Sequence, residues 1–184
     1  YRMIYRKFTK KNKKKGILFW IEGLSGAGKT CISRVVAKEL RKNVSNLVLI
    51  QGNEMRTLLK LKGFTKKERT SASNHSSELI KFLINNGVNV IYTVLCLNND
   101  VRKIYKKKVD NFFQIYIKAN VKQIIEKNLK SQIYSLKKNI VGIDIKPEYP
   151  KQNIIVIKNN FEKTIKNLGL NLSKEIKISC KDKI

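Results

Sequence analysis

The chain has 184 residues, 42% of them hydrophobic, and carries 40 Lys plus Arg against 13 Asp plus Glu, for a net charge of +27. That length and apolar share suit one folded domain with its own core and exclude a wholly disordered chain. Apolar runs such as 17–21 and 90–97 fall well short of the roughly 18–20 residues a membrane-spanning helix needs, so no membrane partner is expected.

Residues 1–15 are a basic lead-in, read as a solvated tail or an anion-binding arm. Residues 17–21 read as a buried strand and 23–28 as a loop. A helix is expected over 29–42, with Ile32, Val35, Val36 and Leu40 on its apolar side. The 17–21 run is too short for a signal peptide and leads into glycines. A second strand is expected at 47–50, a short helix at 54–60 and a turn at 62–65. Thr65, with Glu68 three residues on, makes a capping box for a helix that stops at Gly87. A third strand is expected at 88–95, a helix at 100–108, a fourth strand at 112–117 and a helix at 121–129. Residues 130–152 hold Gly142, Pro147 and Pro150 and read as irregular. A fifth strand at 153–157 and a last helix at 161–168 follow, so that the domain spans 16–170 and a polar tail runs over 171–184. Strands alternating with helices imply an α/β fold, a five-stranded parallel sheet covered on both faces, with ligands beyond the strands' carboxyl ends.

One motif at such an end carries chemistry. Gly23-Leu24-Ser25-Gly26-Ala27-Gly28-Lys29-Thr30 fits G-x-x-x-x-G-K-[ST], after an expected strand and opening an expected helix. Glycines let backbone N–H groups converge on phosphate oxygens, and the helix N-terminus adds positive charge. Lys29 is expected to reach the β- and γ-phosphates of a nucleoside triphosphate, and the Thr30 hydroxyl is the candidate Mg²⁺ ligand.

The same stretch resembles the phosphate loop of adenylylsulfate (APS) kinases, which reads G-L-S-G-[SA]-G-K-[ST]. The resemblance continues over residues 16–160. Gln51-Gly52-Asn53-Glu54-Met55-Arg56 falls on D-G-D-x-x-R, and Gly63-Phe64-Thr65 with Glu68-Arg69 on L-G-F-[ST]-x-x-D-R. Residues 87–102 match a G-V-x-V-I…S-P-Y…R strand and loop, and Lys130 with Tyr134 matches K-G-L-Y. Val141-Gly142-Ile143-Asp144, with Glu148 and Pro150, matches T-G-I-D-x-P-Y-E-x-P.

The resemblance implies a three-layer P-loop nucleotide kinase fold with a lid segment, and ATP- and Mg²⁺-dependent phosphorylation of the 3′-hydroxyl of APS to PAPS. It implies that Lys29 and Lys130 are catalytic, that Phe64 stacks on the acceptor base, and that Arg56 and Arg69 hold its anionic group. Lys130 and the loop carrying Ile143 and Asp144 would close over the substrate. Amides Gln51 and Asn53 replace both acids of D-G-D, and neighbouring Glu54 is the candidate substitute base. Ala72-Ser73-Asn74-His75 replaces N-I-R-R, so two acceptor-gripping arginines are missing. Cys96 and Leu97 replace the S-P of S-P-Y, Lys127-Asn128 replaces R-D, and Ile140 replaces a second stacking Phe.

These exchanges leave two further readings open: a similar kinase acting on another nucleotide conjugate, as in surface-polysaccharide precursors, and a catalytically weak nucleotide-binding protein. Expected partners are an anionic nucleotide-like acceptor and a second copy of the chain in a homodimer. No specific nucleic-acid partner is expected. The 33 Lys, 24 Ile and 19 Asn share A/T-rich codons, whereas Arg, which phosphate and base recognition prefers, numbers 7. Cys31, Cys96, Cys180 and His75 show no metal or redox spacing, which fits a reducing cytoplasmic setting.

Overall fold

The computed structural model describes residues 14–95, 97–127, 138–152 and 154–181. Five strands form one all-parallel sheet: β1 (Leu18–Gly23), β2 (Leu47–Gln51), β3 (Asn89–Val94), β4 (Phe112–Lys118) and β5 (Ile155–Lys158), in the order β2-β3-β1-β4-β5. Parallel neighbours need crossover connections, and the segments between strands carry helices α1 (Lys29–Leu40), α2 (Gly52–Leu58), α3 (Lys66–Asn85), α4 (Asn99–Lys108) and α5 (Val121–Glu126), while α6 (Ile165–Ser179) follows the last strand.

The central strand explains the three layers. Every residue of β1 is buried, as a strand covered on both faces requires. Its alternation sends Phe19 and Ile21 into one core, with Ile32, Val36 and Leu40 of α1 and Leu168, Leu172 and Ile176 of α6. Leu18 and Trp20 enter the opposite core, with Met55 of α2, Ile80 and Ile84 of α3, and Val101 and Tyr105 of α4. In that second core the Trp20 and Tyr105 rings lie 4.4 Å apart, and the Tyr105 hydroxyl meets Ser76 Oγ at 2.7 Å.

The last helix departs from the expected bounds. It begins at Ile165, capped by Thr164, and continues to Ser179 through residues the sequence suggests are a polar tail. Leu168, Leu172, Ile176 and Cys180 recur every fourth residue and are buried. The intervening Lys, Asn and Ser dilute that stripe, so its periodicity shows only once α1 is beside it. The expected capping box at the start of α3 is present: Glu68 N–H donates to Thr65 Oγ1, and Thr65 N–H donates to Glu68 Oε2 at 2.9 Å. Residues 138–152 are irregular, as expected, apart from a Val141–Ile145 bridge. Among the described residues no helix is long and apolar enough to cross a membrane.

Candidate functional site

All five strands point the same way, so β1, β2 and β3 deliver their carboxyl ends to one edge. At that edge the chain leaves β1 at Gly23 and enters α1 at Lys29. Gly23 is pressed against β4, where a Cβ would lie 2.6 Å from the Ile117 carbonyl oxygen. Gly28 caps α1 in the left-handed region at φ 92°, which an L side chain adopts only with strain. Leu24 and Ala27 are buried and fix the loop to the core, while Ser25, Gly26, Gly28, Lys29 and Thr30 are partly exposed. No acidic side chain occupies the first turn of α1, so its N-terminal partial positive charge is not offset there. Lys29 folds back across the loop, its ammonium donating to the Leu24 carbonyl at 2.6 Å.

Two supports of this loop escape a reading of the sequence. Asn159, just past β5 and 3% exposed, donates from Nδ2 to the Ala27 carbonyl at 3.0 Å and accepts the Phe161 N–H. A polar residue directly after a strand at that edge is the signal available. The second support is Glu22, wholly buried one residue before the loop. Arg102 Nη1 of α4 donates to its Oε2 at 2.8 Å, and Gln114 of β4 donates to its Oε1. Burial raises the Glu22 carboxyl above its ordinary pKa, while the Arg102 guanidinium and the Gln114 amide oppose that rise. Arg102 Nη2 also donates to Asn99 Oδ1 at 2.6 Å and to the backbone carbonyl of Glu148.

The residues expected to meet an acceptor begin where β2 ends. Gln51 caps α2 through a capping box, and its N–H donates to Glu54 Oε2 at 2.8 Å. Glu54, the candidate base, therefore also serves as a helix cap, and Asn53 is exposed beside it. Arg56, Phe64 and Arg69 are brought together. The Arg56 guanidinium lies 4.4 Å and that of Arg69 5.4 Å from the Phe64 ring centre. Arg56 also donates to the Gly63 carbonyl. Arg69 donates to the carbonyls of Phe64 at 2.7 Å, Leu95 at 3.4 Å and Asn139 at 3.2 Å. Phe64 itself is 48% exposed, which is unlike a core residue.

Through Asn139 the Arg69 side chain reaches the turn that holds the remaining two candidates. Ile143 and Asp144 are both exposed, and Asp144 Oδ2 accepts the Ile140 N–H at 2.9 Å. The segment is pinned further on by Glu148. Its carboxylate accepts from Lys66 Nζ at 2.8 Å and from the Asn99 N–H at 2.7 Å, and its own N–H donates to the Leu97 carbonyl. Lys66 and the Asn99 amide hold the Glu148 carboxyl below its ordinary pKa. His75 is exposed, and its Nδ1 meets the Ser71 carbonyl within α3. Lys130, Tyr134 and Cys96 lie outside the described residues.

A triphosphate suits the residues present: a glycine-containing loop, a helix N-terminus without an acid, and Lys29 folded across the loop. Mg²⁺ fits less completely. Among the described residues no three His, Cys, Asp or Glu side chains gather as a metal cage. Mg²⁺ generally retains several waters and takes few protein ligands alongside phosphates, so Thr30 with a triphosphate is an adequate set.

A family profile described as adenylylsulphate kinase matches residues 15–158. Cytidine diphosphoramidate kinase of Campylobacter jejuni is 28% identical over 156 residues, covering 80% of this chain and 91% of that protein. Adenylyl-sulfate kinase of Rippkaea orientalis is 28% identical over 155 residues, covering 82% and 86% respectively. The solved APS kinase of Mycobacterium tuberculosis, in complex with AMPPNP and APS, superposes with a TM-score of 0.79 over 89% of this chain and 98% of that one. At 19% identity that is a likeness of fold.

Proposed function

The chain belongs to the adenylylsulphate kinase family, and from that premise we propose that it transfers the γ-phosphoryl group of ATP to the ribose 3′-hydroxyl of a nucleotide conjugate, with cytidine diphosphoramidate as the acceptor. The observation that carries the kinase reading is one shared edge. The phosphate loop after β1 and the Arg56–Phe64–Arg69 platform after β2 both lie at the carboxyl ends of parallel strands.

In this reading the loop amides and Lys29 bind the ATP phosphates. Thr30 would hold Mg²⁺, which would supply positive charge against the phosphates of ATP. Phe64 stacks on the acceptor base, and Arg56 and Arg69 sit close enough to its ring to meet the acceptor's anionic group. The acceptor hydroxyl oxygen attacks the γ-phosphorus as the bond to the β,γ-bridging oxygen breaks, and ADP leaves. The hydroxyl proton goes to a carboxylate, for which Glu54 is the candidate. Its Oε2 caps α2, and a carboxylate has a second oxygen to offer. Positioning and charge neutralisation supply most catalysis in such transfers, so amides at 51 and 53 weaken the site without abolishing it.

The acceptor choice rests on Asn74 and His75. An arginine only donates hydrogen bonds, and a terminal sulfate only accepts them. Where the resemblance implies arginines, this chain has two side chains that also accept. His75 Nδ1 must be protonated to bond the Ser71 carbonyl, which leaves Nε2 of the neutral ring as an acceptor. A phosphoramidate ends in an N–H donor that a sulfate lacks. The relative from C. jejuni supports the same choice. APS, the acceptor implied by the sequence motifs, is the second reading, favoured by the intact phosphate loop and the relative from R. orientalis.

Steady-state kinetics with both acceptors in parallel decides between them. The expected result is a kcat/KM at least about tenfold higher on cytidine diphosphoramidate, a difference of about 1.4 kcal/mol. A preference for APS overturns the acceptor assignment.

A further inference from the structure

Glu22 and Arg102 form an ion pair whose side chains are 0% and 6% exposed. A buried pair of this kind is weak evidence for a stabilising role, because apolar groups of like volume often serve as well or better. Its geometry offers another reason for its presence. The guanidinium is a planar fork, and its two arms go to different halves of the site. Nη1 holds Glu22, which is the residue before the phosphate loop. Nη2 holds the Glu148 carbonyl and Asn99 Oδ1. From Glu148 the chain of contacts continues through its carboxylate to Lys66, the first residue of α3, two positions after Phe64. The ring of Tyr149, next to Glu148, rests on Tyr116 of β4 with ring centres 5.8 Å apart.

We propose that Arg102 is a positioning residue that couples the phosphate loop to the 146–150 segment, keeping the donor and acceptor halves of the site at one separation. Its effect on turnover rests on the kinase reading above; the coupling itself requires only that nucleotide binds. Lysine at this position would keep a charge facing Glu22 but would lack the second planar arm. Neutralising both partners, Glu22→Gln with Arg102→Met, leaves no orphaned charge and nearly conserves volume. It therefore separates coupling from simple charge balance.

The test combines hydrogen exchange with kinetics on the full chain, with Mg²⁺-AMPPNP as the nucleotide probe. In the wild type, binding of the probe should slow exchange at the Glu148 and Asn99 amides. In the paired variant the melting temperature and the AMPPNP Kd should match the wild type, while that nucleotide-dependent protection disappears. Its kcat should fall at least about tenfold with the KM for ATP unchanged, since a misplacement of about 1 Å costs up to about 100-fold. Should the paired variant fail to fold, Arg102→Lys is read for the same loss of protection and of kcat. Retained protection and wild-type kcat in the variant that folds overturn the proposal, as does a wild type whose two amides ignore the bound probe. A wild type that binds AMPPNP but phosphorylates no acceptor defeats the functional reading alone, because the exchange experiment still decides the coupling.

Discussion

Replacing Phe64 with alanine separates acceptor recognition from fold stability. The ring is 48% exposed and touches the guanidinium groups of Arg56 and Arg69 at 4.4 and 5.4 Å. Cation–π contacts at such exposed sites contribute about 0.5–1 kcal/mol each, so the variant should lose about 1–2 kcal/mol of stability. For a domain of this size that lowers Tm by about 2–8 °C. A base stacked on an aromatic ring contributes about 1–3 kcal/mol, which corresponds to a rise of about 5- to 150-fold in acceptor KM. The KM for ATP should not change, because the ring belongs to the other half of the site. Steady-state kinetics on the wild type, Phe64→Ala and Phe64→Tyr, with melting curves for each, measures all of these. The tyrosine variant keeps the ring and should restore the acceptor KM. If alanine lowers Tm but leaves the acceptor KM untouched, Phe64 is a packing residue and does not bind the acceptor.

Gly28→Ala places a Cβ at φ 92°, 3.0 Å from Asn159 Nδ2 and 3.4 Å from Ile32 Cδ1. Asn159 is tethered to Ala27, so strain of about 1–2 kcal/mol should appear as a Tm loss of about 2–8 °C, and calorimetry should show weaker ATP binding. Gln51→Asp with Asn53→Asp should raise kcat, with about 10²–10⁴-fold as the ceiling for a well-placed base. Aspartate is also a good N-cap for α2, so Tm should not fall, and an unchanged kcat would show that these positions do not limit transfer. The Glu68 carboxyl is held below its ordinary pKa by Thr65, and that of Glu148 by Lys66 and Asn99. Their contribution to stability is therefore complete above about pH 4.5 and is lost as pH falls through the lowered folded-state values. Tm measured against pH should decline less in acid for Glu148→Gln than for the wild type.

Local patterns were legible in the sequence. The strand–loop–helix turn rests on eight contiguous residues, Gly23 to Thr30, and the Thr65–Glu68 box spans one helical turn. The alternation of apolar runs and amphipathic stretches gave the five parallel strands. What escaped notice joins residues remote in the chain: Glu22 to Arg102 across 80 positions and Asn159 to Ala27 across 132. A lone glutamate in an apolar strand carries no sign of its partner. The capping contact of Glu54 was hidden because a carboxylate beside an amide pair suggests catalysis as readily as capping. The length of α6 was hidden by lysines and asparagines between its buried positions, in a chain rich in both.

The central claim is phosphoryl transfer from ATP to a nucleotide hydroxyl, and product analysis tests it most directly. Wild type and Lys29→Ala are each incubated with ATP, Mg²⁺ and cytidine diphosphoramidate or APS, followed by mass spectrometry and phosphorus NMR of the products. The wild type should yield ADP and an acceptor carrying one added phosphate at the ribose 3′ position, and Lys29→Ala should yield neither. ADP formed without a phosphorylated acceptor, or no reaction with either acceptor, would contradict the claim.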